Sequence, residues 1–287
     1  MTRRGRTATD VAMLAYVMFN TAFVLRHAAD IHGWPWLLAA NGLMLLLIAL
    51  LRRVPLSRFG LLLGGAYPII LTVAFYSQLG LINLDLARGH DWLIQRWEAT
   101  LFRGQVSMEW HRRMPNLALS WILHTCYGSY YLLLVASPLI LFLRHSRDAF
   151  ERGVFAMTLA LYGCYVVFAL YPVSGPRYEF GAATGTAASV LPARVVHWIL
   201  EGGSSLGTAF PSSHVAASWC AVLALWRDAR KACLALAPVA LGLTLGTVYG
   251  QFHYAVDALA GAALALVLFA LTDPLRRALQ PTVPVGR

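Results

Sequence analysis

The sequence predicts an all-α, polytopic membrane helix bundle, and three observations predict it. Hydrophobic residues make up 59% of the 287-residue chain and charged residues only 13%, about half the charged share of a soluble domain. The mean hydropathy is +0.61, and the apolar residues gather into blocks near the roughly 20 residues that a helix needs to cross a bilayer. Arginines cluster in every second connection between those blocks, as they do where alternate loops face the cytoplasm.

Eight spans follow in order. Ala8–Leu25 comes after Arg3, Arg4 and Arg6 and lacks the small-residue cleavage pattern of a signal peptide, so it reads as a retained helix. Trp34–Leu51 and Phe59–Leu81 are joined across Arg52, Arg53 and Arg58. Leu117–Leu143 and Val154–Leu170 are joined across Arg144, Arg147 and Arg152. Ser213–Leu225 is short unless it extends back through Leu206–Pro211; Arg227, Arg230 and Lys231 join it to Ala232–Tyr249. Ala255–Leu271 precedes Arg276, Arg277 and Arg287. This alternation puts both termini in the cytoplasm, with the chain in a plasma membrane or a cell inner membrane. The long connections 82–116 and 171–207 then lie outside, with the starts of the sixth and eighth spans.

The net charge of +10 is the charge of those connections meeting anionic headgroups. A nucleic-acid partner would want a continuous basic face with interleaved aromatics, and the sequence has none. Cys126, Cys164, Cys220 and Cys233 fall inside apolar segments without a CxxC pair, so they read as small core residues rather than a disulfide or metal site. In the first long connection, Asp91 to Trp97 continues to Phe102 as an amphipathic piece whose tryptophans suit the membrane interface. Arg103, Glu109, Arg112 and Arg113 then face headgroups, or else the piece packs over the bundle.

Three groups of residues carry chemistry. Pro211-Ser212-Ser213-His214 opens the sixth span. Proline starts a helix at no hydrogen-bonding cost, Ser212 or Ser213 can cap it, and the free amides there attract an anion. His253 and Asp257 open the eighth span at i,i+4 spacing, on one helix face. A carboxylate in such surroundings needs a partner, and it would hold one ring nitrogen of the histidine while the other exchanges a proton. Arg177 follows the Gly175-Pro176 turn on the same side, and its planar donors fit a phosphate.

These parts describe phosphoryl transfer. His214 attacks phosphorus, His253 and Asp257 manage the proton, and Arg177, Ser212 and Ser213 bind the phosphate. No carboxylate cluster suitable for Mg²⁺ is present, so neither a metal nor a cofactor is expected.

The residues resemble the type 2 phosphatidic acid phosphatase (PAP2) superfamily, which includes inositol phosphorylceramide and sphingomyelin synthases. The family signatures are Lys-x6-Arg-Pro, Pro-Ser-Gly-His and Ser-Arg-x5-His-x3-Asp. The second stands here as Pro211-Ser212-Ser213-His214, with serine for glycine. The third keeps His253 and Asp257 but has Gly246-Thr247 in place of Ser-Arg. The first keeps Arg177, with Leu170 at the lysine and Tyr178 at the proline. The His253-Tyr254 pair and Asp257 also resemble sphingolipid-synthase signatures.

The resemblance runs from about Phe59 to Leu271 and implies a six-helix core over 59–275. Residues 1–58 are then an added transmembrane hairpin, 82–116 an external interfacial segment and 276–287 a cytoplasmic tail. It implies a metal-independent phosphatase acting on a membrane lipid phosphate or phosphodiester at the exoplasmic face, with water as acceptor. A headgroup phosphotransferase would use a lipid or polyol alcohol instead. Lipid transport without catalysis is the third reading, since polar helix starts also build transport sites. The small, polar stretch Gly181–Ser189 suits a mobile lid. The oligomeric state is open.

Overall fold

The computed structural model describes residues 7–51, 53–54, 57–86, 89–144 and 146–279. Arg3, Arg4, Arg6, Arg52 and Arg287, with the last part of the 276–287 tail, lie outside the described residues. Helices α1 (Ala8–Arg26), α2 (Trp34–Leu51) and α3 (Arg58–Leu86) open the chain. Two short helices, α4 (Asp91–Phe102) and α5 (Val106–Arg113), fill the first long connection. Then come α6 (Leu117–Gly128), α7 (Tyr130–Arg144) and α8 (Arg147–Leu170). The second connection holds α9 (Pro176–Glu179), α10 (Thr186–Ser189) and α11 (Leu191–Gly203). The bundle closes with α12 (Ser213–Ala224), α13 (Arg230–Tyr249) and α14 (Ala255–Leu279).

Among the described residues, six helices of at least 18 residues are apolar enough to cross a bilayer: α1, α2, α3, α8, α13 and α14. The chain is a multi-pass membrane protein, all-α in the described residues but for an isolated bridge between Val173 and Thr208. Helix α8 is the hub. Phe155, Met157, Leu161, Cys164 and Phe168 bury every side of it, as a helix apolar all round requires. Around it pack α1, α3, α7, α12 and α14.

Several boundaries differ from expectation for local reasons. Helix α8 starts seven residues early because Ser146 caps it, accepting the Ala149 amide at 3.1 Å. The span expected over 117–143 is broken by 50° between α6 and α7. There Ser129 is the C-cap of α6, its amide donating to the Thr125 carbonyl and its hydroxyl to the Cys126 carbonyl. Helix α12 has only 12 residues and does not extend back through 206–211. That stretch pairs with the chain after α8 instead: Val173 donates to Gly207 and Ala209 donates to Val173, at 3.3 and 2.9 Å. Helix α14 continues past Leu271 to Leu279.

Helices α1 and α2 pack against the rest of the bundle. Met13, Tyr16 and Val17 of α1 belong to the main apolar cluster with Phe75 and Cys164. Asn20 donates to Asn41 and to Gln78, at 3.2 and 2.6 Å, tying α1 to α2 and α3 inside the bundle. At the end bearing the basic connections, Arg152 pairs with Asp148 and Asp228, Arg227 with Asp273, and Arg276 with Asp148. Those arginines therefore clamp helix ends as well as marking loops.

Helix α4 is packed over the bundle on one face. Asp91, Ile94 and Glu98 are buried while Trp92 and Trp97 stay exposed. Glu98 accepts the Ser107 amide at 2.9 Å and the Ala255 amide at 3.0 Å, so one carboxylate caps both α5 and α14. Burial raises its pKa, and those amide bonds pull the other way. Glu109, expected among headgroups, pairs with Arg113 at 2.6 Å.

Candidate active site

The site is assembled where α12 and α14 begin. Ser212 is the N-cap of α12, its hydroxyl accepting the Val215 amide at 3.4 Å. Its own amide donates to the Asp257 carbonyl at 3.0 Å, joining the two helix starts. Gly261 permits the approach, because a Cβ there would lie 2.5 Å from the Ser212 carbonyl oxygen. His214 and His253 are thereby brought together, with ring centroids 5.8 Å apart.

His253 sits in the turn between α13 and α14. The Thr247 carbonyl accepts both the Phe252 and His253 amides, at 2.9 and 3.0 Å. The His253 Nδ1–H donates to the Ala209 carbonyl at 3.0 Å. A carbonyl oxygen can only accept, so the hydrogen is on Nδ1 and Nε2 is the nitrogen left to exchange a proton. Asp257 Oδ2 lies 3.5 Å from the same Nδ1 and accepts the Tyr254 amide at 2.9 Å. The ring is thus held first by Ala209, with the Asp257 carboxyl group behind it. Burial pushes the His253 imidazole down to about 4, against the pull of its bond to Ala209.

His214 is set by packing. Tyr127 stacks on it at 5.5 Å and Tyr130 tilts against it at 4.4 Å, both from the α6–α7 bend. Its Nδ1 is buried without a hydrogen-bond partner.

Arg177 comes from the second connection. Gly175 has φ +94°, a left-handed conformation that favours glycine, and turns the chain into α9. Asp91 fixes that turn by accepting the Ser174 and Gly175 amides, each at 2.8 Å, and it also accepts the Tyr254 hydroxyl at 3.1 Å. Arg177 lines one cavity with His214 and His253, about 380 Å³ including its open mouth, and is the one charged residue on its wall among the described residues. Its Nη1 is buried without a partner. Hydroxyls of Tyr76, Ser205 and Thr208 line the same cavity, with Tyr76 and Thr208 2.9 Å apart.

Four of the expected residues are therefore brought together: His214, His253, Asp257 and Arg177. Ser212 and Ser213 do not line the cavity, because Ser212 is engaged as a cap and both are buried at the helix start. Nor is 181–189 a free lid. Gln251 donates to the Gly181 carbonyl at 2.8 Å and Ser120 donates to the Ala187 carbonyl. At the positions of the two missing family cations, Leu170 is exposed on the bundle surface and Thr247 is buried, its carbonyl accepting the hydrogen bonds of the His253 turn.

Sequence reasoning missed Tyr127, Tyr130, Thr208 and Asp91. A signal existed for Asp91: with Ile94 and Glu98 it falls at i, i+3, i+7, one helix face. Among the described residues, no group of three or more His, Cys, Asp or Glu side chains is placed to hold a metal ion.

No curated protein and no solved structure matches the chain. The PAP2 superfamily model matches residues 92–271, so α1 to α3 fall outside the matched stretch. Arg177, His214, His253 and Asp257 all lie inside it, and it takes in more than half of the sequence. The chain belongs to the PAP2 superfamily.

Proposed function

We propose that this protein is a lipid phosphate phosphatase that works through a phosphohistidine. The observation that carries the reading is the pair of imidazoles 5.8 Å apart on one cavity whose charged wall residue is Arg177. A ring nitrogen of His214 attacks phosphorus, and the bond from phosphorus to the lipid oxygen breaks. The electron pair leaves on that oxygen, which takes a proton from His253 Nε2. Water then attacks the phosphohistidine and returns a proton to His253. Arg177 and the free amides at the start of α12 stabilise the nonbridging oxygens throughout.

His253 is neutral in the resting protein, so the proton arrives with the substrate, as the monoanion of the phosphate. The site lies at the end of the bundle away from the basic connections, which supports an exoplasmic location with both termini cytoplasmic. The hydroxyls of Tyr76, Ser205 and Thr208 on the same cavity favour a second reading, transfer to an alcohol in place of water.

The test is purified protein offered a panel of lipid phosphates, with and without alcohol acceptors and with a chelator present. Free phosphate, a trapped acid-labile phosphoprotein and full activity in chelator are the expected results. An acceptor-dependent lipid product would put transfer first. Undiminished turnover in the His214→Ala variant, or a strict need for Mg²⁺, would overturn the mechanism.

A further inference from the structure

The end of the bundle that bears the basic connections holds a cavity of its own. Helix α8 runs for 24 residues, about 36 Å, so its first turn lies far from the site that follows its last. There the starts of α3 and α8 and the end of α7 enclose a space of about 510 Å³, open mouth included. Arg58, Arg147 and Glu151 line its polar part, and Leu61, Phe142 and Phe150 its apolar part. A Cβ on Gly65 would lie 2.3 Å from the Phe150 ring, so that ring is sunk into α3 and forms a floor. Phe142 meets it edge-on, with centroids 5.2 Å apart.

The charges on its wall do not cancel. Arg147 pairs with Glu151 at 2.8 Å, while Arg58 is exposed and has no carboxylate partner among the described residues. Elsewhere at this end Arg152, Arg227 and Arg276 are each matched by an aspartate. Two guanidinium groups against one carboxylate leave a positive charge to be met from outside. Each arginine also opens its helix. Ser57 accepts the Gly60 amide at 3.0 Å and Ser146 the Ala149 amide at 3.1 Å, the bonds of a helix cap. The positive ends of two helices therefore add to the same field. Beside the arginines the surface is apolar: Phe59, next in sequence to Arg58, and Leu143, next to Phe142, are both exposed. A ligand that fits offers an anion to the arginines and hydrocarbon to the apolar wall. A phospholipid offers both, and a soluble anion only the first.

We propose that Arg58 and Arg147, over the floor of Leu61, Phe142 and Phe150, bind an anionic phospholipid at a site separate from that of His214. Its phosphodiester lies between the two guanidinium groups, and a hydrocarbon chain runs out along Leu61 and Phe142. Arginine suits the task because its planar donors reach two phosphate oxygens at once. A zwitterionic headgroup brings an ammonium against the same guanidinium groups and is disfavoured. The bound lipid ties α3, α7 and the hub α8 together at the ends opposite the active site.

The experiment is native mass spectrometry of the full chain in detergent, which counts bound lipids and gives their affinities. The probes are phosphatidylglycerol, phosphatidylcholine and glycerophosphoglycerol, the last being the anionic headgroup without its chains. Phosphatidylglycerol should bind about 20-fold more tightly than phosphatidylcholine, about fivefold for each arginine, and glycerophosphoglycerol should not bind. Arg58→Gln and Arg147→Gln should each weaken phosphatidylglycerol about fivefold and leave phosphatidylcholine unchanged. Arg230→Gln, at the same end but over the Trp226 ring, should leave both lipids unchanged, and so should Arg177→Gln in the other cavity. Equal affinity for the two lipids, or equal weakening by Arg230→Gln, would overturn the site in favour of diffuse charge. Weakening by Arg177→Gln instead would place the lipid at His214. Glycerophosphoglycerol bound as tightly as the lipid would make the ligand a free anion and overturn the lipid site. Arg58 is exposed, so its substitution removes a charge without disturbing the core, and a thermal melt beside the binding curve checks that the variant is folded.

Discussion

A histidine that gives and takes protons needs one nitrogen held and the other free. His253 meets this through a backbone carbonyl, Ala209, with the Asp257 carboxyl group 3.5 Å behind the ring. Asp257→Asn should therefore keep the tautomer and the fold and lower kcat by about 10- to 100-fold, the usual cost of losing an orienting outer partner. Steady-state kinetics beside a thermal melt will separate the two effects. Arg177→Lys keeps the charge but loses the planar fork; kcat/KM should fall by roughly 100-fold, and unchanged kinetics would mean that another group holds the phosphate. The pH dependence has a definite sign. With His253 held near 4, the reactive proton travels on the substrate monoanion, whose second ionisation lies near 6. A pH profile should show kcat/KM falling as pH rises above about 6; a rise toward pH 8 would contradict that proton source. Residues whose chemistry is local were legible in the sequence. His214, His253 and Asp257 sit at helix starts that periodicity marks, and Arg177 follows a Gly-Pro turn. The serines were misread because capping and phosphate binding ask for the same residue types at the same place, and only the geometry tells them apart.

Among the elements, the junction of α12 with α14 determines whether the site exists. Gly261→Ala would set a Cβ against the Ser212 carbonyl, a backbone atom with little freedom to move. It should cost about 1–3 kcal/mol of stability and most of the activity, read by unfolding and by turnover in the same preparation. Among the described residues, six of the eight expected spans stand as helices long and apolar enough to cross, while the fourth is bent between α6 and α7 and the sixth is the 12-residue α12; the ends were not legible. Ser146 extends α8 by seven residues, and Ser129 caps α6 where it bends into α7, through local hydrogen bonds that hydropathy does not register. The pairing of Val173 with 207–209 was equally hidden, since a contact between two loops leaves no period in either. Helix α4 shows the same limit from the other side. Its exposed tryptophans announced an interfacial helix, while Asp91 and Glu98 on the opposite face turned it into a fastening for the site.

At the scale of the molecule, the first two helices are unequal. Helix α1 contributes Met13, Tyr16 and Val17 to the central cluster, whereas α2 touches the rest mainly along one edge through Leu37, Asn41, Ile48 and Leu51. Removing residues 1–57 should therefore expose the faces of Phe75 and Tyr162 and lower the melting temperature sharply. Asn20→Leu, which breaks only the bonds to Asn41 and Gln78, should cost about 1–3 kcal/mol. Equal melting of the truncated and full chains in one detergent would show the hairpin to be an accessory. Sequence hydropathy could not distinguish these two helices, because a lipid-facing leucine and a core-facing one are the same letter. The carboxylate of Asp91 links the scales. It grips the strand of chain that aims the guanidinium and, through a phenol, the turn that carries the proton-handling ring, so two arms of the machinery swing from a single hinge pin. Position 91 is where the alignment of both can be undone together without altering any atom that meets the substrate.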